Sequence, residues 1–477
     1  MKAIAVFDIG KTNKKFIVFN EKYEIIFEKG LSFKEVTDED GYPAEDIRKL
    51  EKWIPDTLQK FCENKSYQIV AVNFSGYGAS LVHLDSNDQR VSLMYNYLKP
   101  MPEEIQKDFF SKYDQDNKFP LLTESPKLGM LNSGLQFYWL KRTKPEIYQK
   151  IVTSLHFPEY CSFLISGKKY TQITSIGSHT SLWNFQKNDY HEWVEKEGVS
   201  KITAPMISAN HHEKVKFHNR DLMVGVGLHD SSASLLPYLK ILKSKFVLLS
   251  SGTWNISMNP FNDSPLTNHE LQQDCLSYIS YQGNKVKSSR VFLGNEHEYW
   301  RKKLEKHFNK PSGFHKKIKF DPVIINSLLI KEDKDKQFTP KTMKGTGPLP
   351  DDYSHLDVNL DKFDSYSEAY HQLTLDLTYI QKLSLDLILD EQIKEIIITG
   401  GFTSNEIFLN LLSCFYPNHQ IYSSKLSRAS ALGAAMVLHE DWNEQPIDKE
   451  LLSFKNYQST AFLDLKDYRL IEIGSSV

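Results

Sequence analysis

The chain has 477 residues, of which 40% are hydrophobic and 25% are charged, which is typical of a folded protein with two or three domains. Its 58 basic and 60 acidic residues leave a formal net charge of -2, which gives no indication of nucleic acid or an anionic membrane as a partner. The four cysteines form no CxxC pair and no segment has the pattern of a signal peptide or membrane span, so we expect a cytoplasmic protein without a zinc site.

The first segments of the chain are predicted as strands around a polar turn. Residues 3–7, 16–19 and 24–27 predict three strands, and Asp8-Ile9-Gly10-Lys11-Thr12-Asn13-Lys14-Lys15 joins the first two. A carboxylate beside a Gly-Lys-Thr turn can hold Mg²⁺ through water while the turn holds phosphate. The turn is not a Walker A loop, because GxxxxGK[ST] is absent and no helix follows. A plain hairpin with a polar turn is the structural alternative.

A second polar loop follows the next predicted strand. Residues 43–63 have helical apolar spacing, and residues 68–74 predict a buried strand that ends at Ser75-Gly76-Tyr77-Gly78. The glycines permit close approach of a ligand to the backbone, and the hydroxyl groups suit a sugar or polyol as well as they suit a turn. Helices are predicted over residues 134–142 and near 145–151.

Residues 227–254 carry the features from which we predict phosphoryl transfer. Asp230 precedes small polar residues and a helical run to about residue 243, so its carboxylate is expected at a helix N-terminus, held by backbone N–H groups. Residues 246–249 predict a buried strand that ends at Ser251-Gly252-Thr253, where the backbone can hold a phosphate. A base and a phosphate-binding turn indicate transfer to a hydroxyl, although helix caps and turns use the same residues for structural reasons.

The second half of the chain repeats the strand-and-turn pattern of the first. We predict a boundary between residues 238 and 245, with domains over 1–240 and 245–477 and a cleft between them. Residues 330–360 are charged and contain prolines and glycines, which predicts a loop insertion or mobile flap.

The last part of the chain predicts a nucleotide-binding site. A helix over residues 365–390 precedes a strand over 394–399, which ends at Gly400-Gly401-Phe402-Thr403-Ser404-Asn405 before another helix. A strand, two glycines and a capped helix offer N–H groups to a nucleotide. Residues 428–438 predict a helix whose small residues allow close packing.

Four motifs in this order resemble the FGGY family of carbohydrate kinases. They are Asp8-Ile9-Gly10-x-Thr12-Asn13-x-Lys15, His229-Asp230-Ser231-x-Ala233-Ser234, Ser251-Gly252-Thr253-Trp254 and Gly400-Gly401-x-x-x-Asn405. The second and third are most similar to the rhamnulokinase-like branch, and Pro158-Glu159-Tyr160 matches the family's Pro-Asp-Tyr region. The resemblance implies an α/β protein with the actin-like ATPase (ribonuclease H-like) fold, in which two similar domains flank a central cleft.

The resemblance also implies a role for each matching residue. Asp230 would be the general base that takes the proton from the sugar hydroxyl, and Asp8 would hold Mg²⁺ through water. The ATP contacts would come from Lys11, Thr12, Asn13, Lys15, Gly252, Thr253, Gly400, Gly401 and Asn405. The substrate contacts would come from Ser75, Gly76, Tyr77, Asn96 and His229.

Two departures from the family pattern concern the phosphate and sugar contacts. Lys11 stands where the family usually has a small residue, which would add charge to the phosphate site. Ser80 and Tyr95-Asn96-Tyr97 stand where rhamnulokinase-like chains carry an acidic residue and a Tyr-Arg-Asp pattern. The expected activity is therefore ATP-dependent phosphorylation of a ketose, deoxyketose or polyol, with an L-rhamnulose-like sugar favoured.

Two other functions stay open from the sequence. An actin-like ATPase would share the phosphate turns without a sugar acceptor, and a non-catalytic sugar-binding protein would share the sugar loops without phosphate transfer. No basic stripe predicts nucleic-acid binding. A homodimer is left open.

Overall fold

The computed structural model describes residues 1–64, 66–330, 333–349, 357–458, 463 and 465–470. The strands up to residue 242 are β1 (Lys2–Ile9), β2 (Lys14–Asn20), β3 (Ile25–Leu31), β4 (Val36–Thr37), β5 (Pro43–Ala44), β6 (Gln68–Gly76), β7 (Leu81–Leu84), β8 (Thr153–His156), β9 (Thr171–Gln172), β10 (Trp183–Asn184), β11 (Asp189–Tyr190), β12 (Met206–Ile207), β13 (His212–Phe217), β14 (Arg220–Gly225) and β15 (Leu228–His229). The helices are α1 (Ile47–Cys62), α2 (Glu103–Tyr113), α3 (Phe119–Leu122), α4 (Ser133–Thr143), α5 (Pro145–Tyr148), α6 (Phe157–Ser166), α7 (Ile173–Ile176), α8 (Glu192–Lys196) and α9 (Asp230–Ile241).

The remaining elements follow residue 242. The strands are β16 (Phe246–Ser251), β17 (Asn255–Asn259), β18 (Cys275–Ile279), β19 (Lys285–Val291), β20 (Glu395–Gly400), β21 (Gln420–Ser424) and β22 (Phe454–Tyr457). The helices are α10 (Asn268–Gln272), α11 (Leu293–His307), α12 (Pro322–Ile330), α13 (Tyr366–Asp386), α14 (Glu406–Phe415), α15 (Ala429–Met436) and α16 (His439–Trp442).

The described residues form two compact units. The first unit contains Met1–Leu242, Ser277–Lys285 and Ser427–Leu451, and the second contains the described residues of the other segments. Two segments that follow residue 245 therefore pack with the N-terminal part of the chain. The domain boundary predicted between residues 240 and 245 stays a prediction.

Each unit is built on one mixed sheet, and the two sheets share a pairing pattern. In the first, the order is β13-β14-β6-β1-β2-β3; β1 to β3 pair antiparallel, while β6 is parallel to β1 and β14. In the second, the order is β18-β19-β17-β16-β20-β21-β22; β16 is antiparallel to β17 and parallel to β20. The repeated pattern agrees with the duplicated architecture that the sequence predicts.

Continuous apolar runs explain why β1, β6, β16 and β20 lie at the centre of their sheets. Residues 3–7 of β1 and residues 396–398 of β20 are completely buried, as strands covered on both faces must be. Helix α1 packs its apolar stripe of Ile47, Leu50, Ile54 and Leu58 into the core of the first unit. Helix α13 lies in the core of the second.

One sequence-based helix start was wrong and another was right. The helix predicted from residue 43 begins at Ile47, because Pro43–Ala44 instead pairs as a strand with Val36–Thr37. The Asp230 carboxylate lies at a helix N-terminus as predicted, since Asp230 is the first residue of α9 and follows the capping residue His229.

The predicted flap over residues 330–360 is packed where the structure describes it. Phe338 and Met343 are buried in the core of the second unit, and the backbone N–H of Phe338 donates to Asp376. Residues 331, 332 and 350–356 lie outside the described residues. Within the described part of the chain, no helix combines the length and apolarity needed to cross a membrane.

Candidate active site

The carboxyl ends of three neighbouring strands bring two carboxylates together in the first unit. Asp8 on β1 lies opposite Ser75 on β6 and Lys15 on β2, while His229 on β15 lies opposite Gly76 on β6. Asp230 follows His229 directly, so it lies at the same sheet edge as Asp8. We call Asp8, Lys15, Ser75 and Asp230 the first edge.

Burial, hydrogen bonds and nearby charges act on the pKa of the Asp8 carboxyl in opposite directions. Burial raises its pKa, a hydrogen bond from Ser430 and the Lys15 ammonium lower it, and the Asp230 carboxylate raises it again. The Ser430 hydroxyl donates to Asp8 Oδ1 at 2.9 Å. No ion pair of Lys15 is found among the described residues, so its ammonium is available to an added anion.

Asp230 combines partial exposure with a raised pKa. Its Oδ1 accepts a hydrogen bond of 2.7 Å from the Ser231 N–H, at the helix terminus where N–H groups favour a carboxylate. The side chain is 38% exposed, and His229 Nε2 lies 3.4 Å from Oδ1. Protein packed around the rest of the carboxyl removes water and raises its pKa to about 6. Asp230 can therefore accept a proton near neutral pH.

A buried ion pair fixes the turn between β1 and β2. The turn closes through a 2.9 Å bond from the Gly10 N–H to the Asn13 carbonyl, and its exposed tip contains Thr12 and Asn13. Lys14 is 1% exposed, and its ammonium donates to Glu45 Oε2 and to the Lys11 carbonyl, both at 2.9 Å. Because this charge is satisfied inside the fold, Lys14 supports the turn without facing a ligand.

Lys11 forms an ion pair and also lies near two tyrosine rings. Its ammonium is 2.9 Å from Glu35 Oε1 and 6.0 Å from the ring centres of Tyr77 and Tyr97. Burial raises the pKa of Tyr97, and the Asp230 carboxylate raises it further. Lys11 and Tyr97 therefore lie on the side of the turn where residues were predicted to contact a sugar.

The other predicted substrate contacts are buried. Gly76 packs on Pro158, which a Cβ at position 76 would approach to 3.2 Å. The Tyr77 hydroxyl donates to Glu45 at 3.2 Å. The Asn96 amide donates to the Pro43 carbonyl at 3.1 Å and accepts from the Leu98 N–H at 3.0 Å, which ties this residue to the fold.

Helix α15 completes the first edge, although its small residues were the only sign of close packing in the sequence analysis. A Cβ at Gly433 would lie 1.8 Å from the Ala233 carbonyl oxygen, so α15 packs directly on α9. This close approach positions Ser430, at the start of α15, for its bond to Asp8. Sequence analysis missed Ser430, because a serine about 420 positions away carries no local sign of contact with Asp8.

The tip of the β18–β19 hairpin also contributes to the first unit. The Ser277 N–H donates to the Glu124 carbonyl at 2.9 Å, and the Lys285 ammonium lies 3.0 Å from Glu124 Oε1. These contacts hold Tyr278 with its ring centre 5.6 Å from that of His229. The hairpin tip was not among the predicted site residues.

The second unit has its own polar edge. Ser251 on β16 lies opposite Gly400 on β20, and the Ser251 hydroxyl accepts a 3.0 Å bond from the Phe402 N–H. Gly400 has φ 86°, and a Cβ there would lie 2.0 Å from the Ser251 carbonyl oxygen. Only glycine fits this position. We call Ser251–Thr253 and Gly400–Phe402 the second edge.

A cavity of about 580 Å³ opens beside the second edge. Its lining includes Gly252, Thr253, Gly401 and Asn405, whereas Gly400 lines a neighbouring cavity of about 420 Å³. Asn405 caps α14 by accepting from the Phe408 N–H at 3.2 Å. The N-terminus of that helix offers N–H groups to an anion.

Helix α11 supplies cavity residues that sequence analysis missed. His297, Glu298 and Arg301 line the cavity from α11. A Cβ at Gly294 would lie 1.9 Å from the Gly252 carbonyl oxygen, so the helix starts directly against the turn. His297 Nε2 is 2.9 Å from the Tyr370 hydroxyl, and burial lowers the histidine pKa to about 4.

Two family models match the chain. One, described as the N-terminal domain of the FGGY family of carbohydrate kinases, matches residues 3–230, and one described as the FGGY carbohydrate kinase C-terminal domain matches residues 243–446. The chain belongs to the FGGY family. The family resemblance predicted from the four motifs is thereby confirmed.

The curated relatives of this FGGY-family chain include two bacterial rhamnulokinases. That of Halalkalibacterium halodurans is 22% identical over 258 residues, which is 52% of this chain and 54% of the relative. That of Oceanobacillus iheyensis is 22% identical over 233 residues, 46% of this chain and 47% of the relative. The matches thus span about half the length of each relative.

Solved structures resemble the FGGY-family chain over nearly its whole length. A carbohydrate kinase from Novosphingobium aromaticivorans has a TM-score of 0.79 at 22% identity, with 97% of both chains covered. A xylulose kinase from Lactobacillus acidophilus has a TM-score of 0.73 at 15% identity, covering 96% of this chain and 94% of that one. The predicted α/β fold of the actin-like ATPase, ribonuclease H-like type is therefore confirmed.

The residues that could hold a metal are few. Among the described residues, no group of three or more His, Cys, Asp or Glu side chains is arranged to hold an ion. The magnesium contact of Asp8 stays a prediction, of the kind in which Mg²⁺ keeps most of its water and binds substrate phosphates.

Proposed function

We propose that this FGGY-family chain is an ATP-dependent kinase that phosphorylates a hydroxyl group of a small sugar. The observation that carries the proposal is the strand register that puts Asp8, Lys15 and the residue before Asp230 at one sheet edge. A base, a metal-binding carboxylate and a cation are the groups that phosphoryl transfer to an alcohol uses.

In this proposal Asp230 orients the acceptor hydroxyl and takes its proton. The carboxyl is 38% exposed and has a pKa of about 6, so it is mostly ionised at pH 7 and accessible to a substrate. As the acceptor oxygen bonds to the γ-phosphorus, its proton moves to Asp230 and ADP leaves. General-base assistance contributes about 10²–10⁴-fold to the rate.

Lys15 and the turn of residues 10–13 would hold the transferring phosphoryl group. Lys15 lies opposite Asp8 across the strand pair, and no ion pair of it is found among the described residues. Thr12 and Asn13 are exposed at the turn tip, where their donors would reach phosphate oxygens. Magnesium at Asp8 would neutralise phosphate charge when bound.

The cavity beside the second edge would take the nucleotide. It combines the glycines and Thr253 of the edge with the N-terminus of α14, which suits phosphate and ribose groups. Phe402 and His297, whose rings are 5.4 Å apart, would form an aromatic wall for the base. ATP is therefore proposed as the donor.

The favoured acceptor is an L-rhamnulose-like ketose. The support is the similarity of two motifs and of part of the chain to rhamnulokinases. Lys11 and Tyr97 would contact the sugar, since the two lie near each other and the Asp230 carboxylate acts on the pKa of Tyr97. Tyr77 is a weaker candidate, because it is buried and its hydroxyl donates to Glu45. The buried Asn96 is a weaker candidate, because both ends of its amide bond to the backbone.

A coupled ADP-release assay tests the proposal. Purified protein with Mg-ATP is given rhamnulose, fuculose, xylulose, ribulose and their polyols, and ADP release that depends on one of them is expected. ATP hydrolysis unaffected by any sugar would favour the actin-like ATPase instead. Sugar binding by calorimetry without phosphate transfer would favour the non-catalytic binding protein.

A further inference from the structure

The first unit contains a buried carboxyl group that the proposed mechanism does not use. Glu159 is 2% exposed in the first turn of α6. Its oxygens accept bonds of 3.1 Å from Gln172 Nε2 and from the Ser175 hydroxyl. No lysine or arginine forms an ion pair with it in the described part of the chain, and burial raises its pKa to about 8. Burying a carboxyl group costs free energy unless it is hydrogen-bonded, so these bonds offset part of the cost of burying Glu159.

The bonds of Glu159 continue toward Asp230. Gln172 also bonds to the Ser175 hydroxyl at 3.0 Å, and its Oε1 accepts a 2.7 Å bond from the Thr174 N–H, which caps the one-turn helix α7. The Thr174 hydroxyl in turn accepts a 3.1 Å bond from the His229 N–H. His229 is the residue immediately before Asp230.

The last bond fixes the point where α9 begins. The His229 N–H belongs to the capping residue of α9, whose extended backbone gives way to helix at Asp230. On the other side, the His229 ring is confined by Gly78, where a Cβ would lie 2.9 Å from Nε2, and by the Tyr278 ring. The pairing of β15 with β6 holds the strand up to His229, and the Thr174 bond adds a restraint on the His229 N–H where the strand passes into α9.

We infer that Glu159, Gln172 and Thr174 are positioning residues for Asp230. They hold the first turn of α9 so that the Asp230 carboxyl points at the acceptor hydroxyl. None of the three has to touch substrate. The inference rests on the proposed function, because it assumes that Asp230 is the base. A misplacement of about 1 Å at a reacting group can cost roughly 10²-fold in rate.

The main test compares two substitutions of Thr174. Thr174→Val removes the hydroxyl at nearly constant volume, and Thr174→Ser keeps it. We expect Thr174→Val to lower kcat by about 10-fold or more with the KM for ATP changed less than about two-fold, and Thr174→Ser to stay within about three-fold of wild type. Thr378→Val is the matched control, since Thr378 is also fully buried with one hydroxyl bond, to the Thr374 carbonyl at 2.6 Å, in the second unit.

The opposite results overturn the inference. They are an unchanged kcat in Thr174→Val, an equal loss in Thr378→Val, or a failure of Thr174→Ser to restore turnover. If Thr174→Val does not fold, Glu159→Met and Glu159→Gln take its place. Methionine loses both acceptors and is expected to lower kcat, while glutamine keeps an acceptor and a similar shape. Equal kcat in these two variants would also overturn the inference.

A measurement that needs no turnover separates this inference from the proposed function. Hydrogen exchange of peptides covering residues 228–236 should be at least about 10-fold faster in Thr174→Val than in wild type and Thr174→Ser. If no sugar is phosphorylated by wild type, the proposed function fails while this result still decides whether Thr174 holds α9. Unchanged exchange would mean that Thr174 does not position Asp230.

Discussion

The two sheet edges have the same backbone plan but different chemistry. In both units, a central strand pairs antiparallel with the next strand along the chain and parallel with a strand that ends in glycine. Asp8 lies opposite Ser75, which precedes Gly76, and Ser251 lies opposite Gly400. The first edge carries two carboxylates and a lysine, whereas the second edge consists of a serine, glycines, a threonine and a phenylalanine. The same pairing pattern thus presents charged side chains in the first unit and closely packed backbone in the second.

The largest effect is expected when the proposed base is removed from the first edge. Asp230→Asn should lower kcat with the best sugar by about 10²–10⁴-fold, because the acceptor proton then has no base. Nucleotide affinity, measured by calorimetry with ADP, should be unchanged, since the nucleotide is assigned to the second edge. Asp221→Asn, which changes an exposed carboxylate of the same unit, is the control and should keep full activity. Substantial turnover by Asp230→Asn would refute the base assignment.

The second prediction concerns a substitution at the second edge. In Gly400→Ala the new Cβ would meet the Ser251 carbonyl oxygen at 2.0 Å, in a backbone conformation with φ 86° that alanine rarely adopts. Strain of about 1–3 kcal/mol should weaken ADP binding by roughly 10- to 100-fold. Gly41→Ala in the first unit is the matched control, because Gly41 has φ 85° and a Cβ there would meet nothing within 4 Å. Equal ADP affinities of the two variants would contradict the assignment.

The third prediction concerns pH. The pKa of Asp230 is raised to about 6, so kcat at saturating substrates should fall about ten-fold per pH unit below pH 6 as the base becomes protonated. His297 in the second unit has a pKa of about 4 and stays neutral over this range, so the acid limb belongs to the first edge. A flat profile of kcat between pH 5 and 7 would remove Asp230 from the rate-limiting step.

The smallest expected effect is on stability. The folded pKa of Asp230 lies above its unfolded value of 3.8, so its ionisation destabilises the fold above pH 6, and this penalty disappears as pH falls toward 4. Asp230→Asn should therefore raise the Tm at pH 7.5 by about 1–3 °C and leave it unchanged near pH 4. A lower Tm at pH 7.5, measured by calorimetry, would show that Asp230 stabilises the fold.

Local patterns determined most of the fold. The apolar runs of β1, β6, β16 and β20 are buried strands at or near the predicted positions, because a strand covered on both faces needs an unbroken apolar run. The motifs around Asp8, Asp230, Gly252 and Gly400 were sufficient to predict the family, because each turn needs small or charged residues at particular positions. A helix start at residue 43 was wrong because strand pairing competed with helical spacing.

Tertiary structure alone decided which distant residues complete each edge. Ser430 reaches Asp8 because Gly433 lets α15 lie against α9, and Tyr278 reaches His229 because Glu124 holds the hairpin tip. The sequence determined which residue types stand at each turn. Packing between segments hundreds of residues apart decided the hydrogen bonds and the pKa of those residues, because burial and charge depend on every neighbour in space.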